Sequence, residues 1–233
     1  MKNKITRVGE LAWILGVTFC SLGVCLTVKA DFGVATIIAP GYILYLKLSQ
    51  HLPFFTLGMS QYLIQSIVLV ILTITVRRFK PKFLFCFLTA MIHGVFVDAW
   101  TAVFSFLNCN NFAERTICFI MGMFLTSLAI SLMLRTYLPQ EVHELAVKEI
   151  SQKFSLSVNK FKFIYDSIFL AIGILAMLLM FGKFSLEMVG LGTLMMAILN
   201  APLITLWGKM LDKFFSFTPI STEFYEKFEK IMD

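Results

Sequence analysis

Residues 83–107 read FLFCFLTAMIHGVFVDAWTAVFSFL, a stretch long and apolar enough to cross a lipid bilayer that nevertheless contains His93 and Asp98. A helix of about 25 residues rises roughly 37 Å, more than the ~30 Å of membrane hydrocarbon, so a tilted transmembrane helix is predicted. An ionisable group at mid-membrane costs several kcal/mol unless it faces other helices or a wet cavity. His93 is therefore predicted to point into the interior of a helix bundle.

The small and polar residues of this stretch recur every three or four positions, so they share one helical face. They are Cys86, Ala90, Gly94, Asp98, Thr101 and Ser105. Small residues let transmembrane helices approach closely, because lipid supplies no hydrophobic drive between them. The face is predicted to pack inside the bundle, with Gly94 at a close contact.

A similar pattern of small residues returns in residues 188–207, which indicates an internal repeat. A shift of 107 positions places His93 on Asn200, and a shift of 106 positions aligns residues 16–29 with 122–135. The repeat predicts that the third and sixth spans cross at a polar cavity between His93 and Asn200. Four small residues are the predicted helix-packing positions: Gly16, Gly94, Ala197 and Ala201.

The composition is that of an integral membrane protein. Of 233 residues, 58% are hydrophobic and 15% are charged, and the mean hydropathy is +0.83; these values lie outside the range of soluble domains. The net charge of +6 comes from lysines and arginines that flank apolar runs, which argues against nucleic acid as a partner. The predicted partners are the lipid bilayer and a small-molecule substrate. If the protein is instead an accessory or assembly protein, the predicted partner is another membrane protein.

Six apolar runs of about twenty residues predict six transmembrane helices, at 11–28, 56–76, 83–107, 116–134, 163–181 and 188–207. Sixteen lysines and arginines, Lys2 and Lys4 among them, would lie on the side of the two termini, against four on the opposite side. Because positive charge favours the cytoplasm, both termini are predicted to be cytoplasmic in a plasma-membrane protein.

Each half of the chain is predicted to contain three spans with an interfacial helix after the first. These helices are placed at about 36–50, with Thr36 as N-cap, and about 139–154. An odd number of spans inverts the second half, so residues 1–107 and 108–210 would form an inverted-topology repeat. Residues 211–233 are predicted to form a cytoplasmic amphipathic tail with Phe224, Phe228 and Ile231 on one side.

Short motifs are similar to those of the YczE/YitT-type bacterial membrane proteins, a poorly characterised family. The end of the first span, GVTFCSLGVCLTVKADFG at residues 16–33, resembles the equivalent turn, and residues 190–193 and 201–202 look like that family's Gly-x-Gly-Thr and Gly-Pro. Gly94 to Asp98 is similar to its Gly-Pro-Phe-Ile-Asp. The resemblance implies a six-helix, all-α, repeat-built bundle and a transporter, without naming a substrate.

His93 is the leading candidate for a substrate-binding residue, because imidazole changes charge near neutral pH. A neutral histidine bonded to a neighbouring helix is an equally good interpretation. Asp98 is weighed in the same way against a helix-capping role. Gln61, Gln65 and Asn200 are predicted to bond between helices first and to contact substrate second.

The five cysteines are odd in number, contain no CxxC motif and are interpreted as small packing residues. The sequence contains no nucleophile with a base, no metal-binding motif and no phosphate-binding loop, so neither an enzyme nor a cofactor is predicted. The leading hypothesis is a small transporter or a membrane substrate-binding subunit. The alternative is a non-transporting accessory or assembly protein, which would copurify with a membrane-protein partner and without a small molecule.

Overall fold

The computed structural model describes residues 5–232, apart from the side chains of residues 159, 231 and 232. Within this part of the chain, six helices are long and apolar enough to cross a membrane, as the sequence predicts. They are α1 (Gly9–Ala30), α3 (Leu57–Val76), α4 (Pro81–Val103), α5 (Phe112–Met133), α7 (Val158–Phe181) and α8 (Leu191–Phe214). The protein is a multi-pass, all-α membrane protein.

Three shorter helices and two short strands complete the described fold. The helices are α2 (Ala39–Leu48), α6 (Val142–Lys153) and α9 (Thr222–Met232), and the strands are β1 (Ile5–Thr6) and β2 (Phe215–Ser216). Thr36 does not cap α2: Ile38 occupies the N-cap position and no side chain caps the helix. Pro40 explains this start, since proline in the first turn needs no hydrogen-bond acceptor for its nitrogen.

The first and last segments of the described chain meet on one side of the bundle. β1 pairs in parallel with β2, and the Gly9 amide donates to the Thr218 carbonyl at 3.0 Å. Two carboxylate oxygens of Glu10 accept from the amide of Ile220, at 3.1 and 2.9 Å. The C-terminal segment is therefore tied to the start of α1. Lys2, Lys4 and the side chain of Ile231, which the sequence analysis used, lie outside the described residues.

The helices α1 and α5 run antiparallel and contact each other at several points along their length. A Cβ on Gly23 would lie 2.8 Å from the Gly122 carbonyl oxygen, and a Cβ on Gly122 would lie 2.8 Å from the Gly23 carbonyl oxygen. Gly16 approaches Ala129 and Met133 farther along the same interface. Glycine is required at this crossing because the two backbones touch directly.

Gly94 lies in a second close contact, but its neighbour is Gly58 of α3 and not Ala201 of α8. A Cβ on Gly58 would overlap the Gly94 carbonyl oxygen, and a Cβ on Gly94 would lie 3.0 Å from the Gly58 carbonyl oxygen. Ala197 and Ala201 have exposed side chains that line a cavity. The small face of α4 thus packs against α3, while the matching face of α8 stays open.

The helices α6 and α9 attach to the same end of the bundle. On α6, the apolar side chains of Val142, Leu145 and Ala146 are buried among α3, α4 and α7. On α9, Phe228 is only 9% exposed and packs edge-on against Phe85. The amphipathic tail is therefore docked on the bundle through Phe228.

Candidate functional site

A cavity of ≈ 420 Å³ lies within the bundle and borders the gap between α7 and α8. His93 of α4 and Asn200 of α8, which the predicted repeat would place at equivalent positions, both line it. Most of the exposed surface of the wall is apolar, although half of the lining residues carry polar side chains, which come from several elements. These polar groups are Cys20, Thr27, Thr36, Thr126, Gln140, Glu141, His143, Glu144, Lys162, Asp166 and Thr205, besides His93 and Asn200.

His93, Glu141 and Gln65 form a chain of polar contacts at one wall of the cavity. His93 Nδ1 lies 3.3 Å from Glu141 Oε1. Gln65 Nε2 donates to the other carboxylate oxygen, Oε2, at 2.8 Å, and Gln65 Oε1 accepts from the Val142 amide at 3.1 Å. Gln65 therefore fixes both the carboxylate of Glu141 and the start of α6.

Several buried polar atoms around the cavity have no hydrogen-bond partner within the described part of the chain. They include both ring nitrogens of His93, Nε2 of His143 and Oδ1 of Asn200. Buried polar atoms are nearly always paired, and an unpaired one costs about 1–3 kcal/mol. A cavity that collects several such atoms is suited to bind a molecule or ion that pairs with them.

Charged groups from α6 and α7 lie at a second wall. Lys162 Nζ is 3.0 Å from Glu144 Oε1 and 3.4 Å from Asp166 Oδ1. His143 is bonded through Nδ1 to the Tyr165 hydroxyl at 2.7 Å. Burial, reinforced by the charge of Lys162, lowers the pKa of His143 to about 3. His143 is consequently uncharged at neutral pH.

Of the five predicted binding residues, His93 and Asn200 line the cavity, and Asp98, Gln61 and Gln65 do not. Asp98 caps α3: its Oδ2 accepts from the Thr56 hydroxyl at 2.6 Å and its Oδ1 from the Gly58 amide at 2.8 Å. Gln61 is buried against Gly41 of α2 and donates to the Ile38 carbonyl at 3.4 Å. Gln65 contacts the site through Glu141, and His93 and Asn200 line it directly.

Three residues of the cavity were not singled out from the sequence. Cys20 is one of the five cysteines interpreted as packing residues, and Glu141 lies within the predicted interfacial helix at about 139–154. His143 carried no signal in the sequence, because it lies in a polar segment between spans. The sequence does contain one indication for Glu141, which directly precedes the apolar positions of α6. Because the apolar face of α6 is buried, the carboxylate that precedes it is carried into the bundle.

Comparison with known proteins gives one match. A family model matches residues 7–209, which is most of the chain, and the family is described as a "Family of unknown function". No curated protein and no solved structure matches the chain significantly.

Proposed function

The chain belongs to the DUF6198 family over residues 7–209, and since the function of that family is unknown, we propose one from the geometry of the cavity. The protein is a small membrane transporter, or a membrane substrate-binding subunit, whose cavity takes a small polar solute. The observation that carries the proposal is the set of unpaired buried polar atoms, from His93, His143 and Asn200, around a cavity of ≈ 420 Å³.

The size and chemistry of the cavity both suit a small solute. Ligand sites typically measure about 300–1,000 Å³ and combine an apolar wall with a few placed polar groups. Ionisable side chains inside transmembrane segments are expensive, and their presence usually marks a substrate or ion pathway. His93 lies deep in α4, and Lys162 and Asp166 lie in α7. Together they give the solute both charged and neutral hydrogen-bonding partners.

An inverted repeat is the second part of the proposal, and the contact between α1 and α5 supports it. The sequence shift of 106 positions equates Gly16 with Gly122 and Gly23 with Ala129. Under that exchange, the contact of Gly16 with Ala129 becomes the contact of Gly122 with Gly23, and both contacts are present. The helices run antiparallel, as the first helices of two inverted halves must. We expect the two halves to superpose after a rotation of about 180° about an axis in the membrane plane.

The two halves differ at one place, which suggests how solute would pass. In the first half, α3 packs tightly on α4 through Gly58 and Gly94. In the second half, α7 and α8 share no such face among the described residues, and the cavity borders the gap between them. Transporters built from inverted repeats alternate access largely by rocking or gating of one repeat against the other around a fixed site. We therefore expect a second state in which α7 and α8 close while α3 and α4 separate.

The orientation and the origin of the protein also belong to the proposal. Sixteen lysines and arginines lie on the side of the termini and four on the opposite side. This bias supports a plasma-membrane protein with both termini in the cytoplasm. The cavity spans much of the depth of the bundle, because it is lined by Val158 at the start of α7 on the side of the termini and by Thr27 near the opposite end of α1. The motif resemblance suggests kinship with the bacterial YczE/YitT-type proteins.

Native mass spectrometry of protein purified from its own membranes tests the proposed function. We expect a retained small molecule in the wild type and its loss in Ala201→Phe, which fills the cavity. Ala171→Phe is the matched control, because Ala171 is exposed on α7 and does not line the cavity. Retention by both variants, or copurification of a membrane protein without any small molecule, would contradict the proposal. The latter result would support the accessory function.

A further inference from the structure

One cluster at the cavity has the composition of a metal site. Cys20 of α1, His93 of α4 and Glu141, directly before α6, each offer a ligand atom, and these atoms all lie within 4.8 Å of one another. We propose that these three residues bind a divalent transition-metal cation of the Zn²⁺ class. The inference goes beyond the proposed function, because a cavity for a polar solute requires no metal and a metal site requires no transport.

The ligand types select the class of cation. A thiolate, an imidazole and a carboxylate are all common Zn²⁺ ligands, and three protein ligands with one open position are typical of sites that exchange or activate what they bind. Mg²⁺ and Ca²⁺ prefer oxygen ligands throughout, so a site with Cys20 and His93 disfavours them.

The distance between the His93 and Glu141 ligand atoms fits a tetrahedral ion. Two ligands about 2.1 Å from a tetrahedral Zn²⁺ are separated by roughly 3.4 Å. His93 Nδ1 and Glu141 Oε1 are 3.3 Å apart. The pair can therefore coordinate a cation without backbone movement.

His93 supplies an independent reason to expect a ligand. Its side chain is only 1% exposed, and neither ring nitrogen makes a hydrogen bond in the described chain. The approach of Nδ1 to Glu141 lacks the geometry of a hydrogen bond. A neutral imidazole buried in this way has an unused lone pair, and a bound cation would accept it.

The surroundings of Glu141 resemble the outer shell of a metal site. Gln65 Nε2 donates a hydrogen bond to Oε2 of Glu141, and the other carboxylate oxygen, Oε1, lies next to His93. Gln65 is itself 1% exposed and is held by the Val142 amide. Hydrogen bonds of this kind fix the orientation of a ligand, and their loss weakens metal affinity by about 10–100-fold.

The open coordination position faces the cavity, since Cys20, His93 and Glu141 all line it. A water molecule or a donor atom of a solute would complete the tetrahedron there. The metal site and the solute cavity thus share one wall.

Co²⁺ binding to the full-length protein in detergent tests the inference, because Co²⁺ replaces Zn²⁺ and reports its ligands by absorption. The protein is purified without a histidine tag. We expect one Co²⁺ per chain and a thiolate-to-Co²⁺ charge-transfer band. Added Zn²⁺ should displace the Co²⁺, and the band should then disappear. Cys20→Ser should abolish the band and Glu141→Gln should weaken binding, while Gln65→Ala should weaken binding about 10–100-fold. Cys25→Ser, the same change on the same helix outside the cluster, should leave the band intact.

Three results would overturn the site: absence of the band in folded wild type, an unchanged band in Cys20→Ser, or a band lost in Cys25→Ser. Thermal unfolding of each metal-free variant verifies that it is folded, and Cys20→Ser is conservative enough to remain so. Solute retention and Co²⁺ binding, both measured on the wild type, separate the two proposals. A failed metal site with a retained solute overturns this inference alone, and metal binding without solute retention in wild type overturns only the proposed function.

Discussion

Asp98 and Gly58 join α4 to α3 at the end of the bundle opposite the termini: Asp98 Oδ1 accepts from the Gly58 amide at 2.8 Å, while Oδ2 accepts from the hydroxyl of Thr56 at 2.6 Å. The Thr56 hydroxyl in turn accepts from the Met59 amide at 3.1 Å, so one carboxylate and one hydroxyl cap the helix together. The same segment holds the close contact between Gly58 and Gly94. Helix capping and close backbone packing therefore hold the start of α3 against α4 at one place.

Asp98→Ala is expected to lower the melting temperature in detergent, because it removes two hydrogen bonds to a charged group, worth about 1.5–3 kcal/mol each. Ser105→Ala, an exposed position beyond α4, is the control and should have no effect. If Asp98→Ala left the melting temperature unchanged and abolished solute retention, Asp98 would be a binding residue instead of a cap.

Gly58 and Gly94 are expected to differ sharply when each is replaced by alanine. At Gly58 the new Cβ would overlap the Gly94 carbonyl, so Gly58→Ala should destabilise by about 1–3 kcal/mol or force α3 from α4. At Gly94 the nearest atoms, the Gly58 carbonyl oxygen and a ring carbon of Tyr62, are 3.0 Å from the new Cβ, so small shifts would relieve the contact. Thermal unfolding of the two variants measures the difference, and equal effects would contradict the geometry of the contact.

Alanine substitution of the two buried histidines at the cavity is expected to lower the stability by different amounts. His143 bonds to Tyr165 and packs edge-on against Phe169, with ring centroids 5.0 Å apart, so His143→Ala should cost about 2–4 kcal/mol of stability. His93→Ala also loses packing, but it removes two buried nitrogens that make no hydrogen bond, so it should cost the metal-free protein less stability than His143→Ala does. The solute retention and Co²⁺ band of His93→Ala should nevertheless disappear. A large drop in melting temperature for His93→Ala, with solute and metal binding intact, would assign His93 a structural role.

Thiol labelling of single-cysteine variants tests the topology. Cys109 is a poor reporter, because it is partly buried with its sulfur 3.0 Å from that of Cys118. In a chain without native cysteines, Asn108→Cys should react with a membrane-impermeant reagent applied to intact cells, and Glu226→Cys only after lysis. Both positions are exposed. The reverse pattern would place the termini outside.

Cys109 and Cys118 themselves are expected to form a disulfide when oxygen and a copper catalyst are supplied. Their thiols are free, and their sulfurs lie 3.0 Å apart near the start of α5. The two thiols lose two protons and two electrons to oxygen, so mass spectrometry should show the loss of two hydrogen atoms from a peptide pair linked by these residues. Cys20, Cys25 and Cys86 should stay reduced. An unlinked pair under these conditions would contradict the short distance.

The six membrane spans could be predicted from the sequence, because the length of an apolar run and its flanking charge are local properties. Residues 83–107 were predicted as one span, and α4 covers Pro81–Val103. The burial of Cys86, Ala90 and Gly94 followed from their common helical face in the same way. The alignment of His93 with Asn200 came from an internal shift in the sequence, and both residues line one cavity.

Only the tertiary structure decided which faces meet. The small faces of α4 and α8 have similar sequences, yet the first packs on Gly58 and the second lines the cavity. Glu141 reaches His93 because α6 is buried among α3, α4 and α7, a placement that depends on contacts between residues far apart in the chain. Periodicity defines the buried side of each helix, but the identity of its neighbour depends on the packing of the whole bundle.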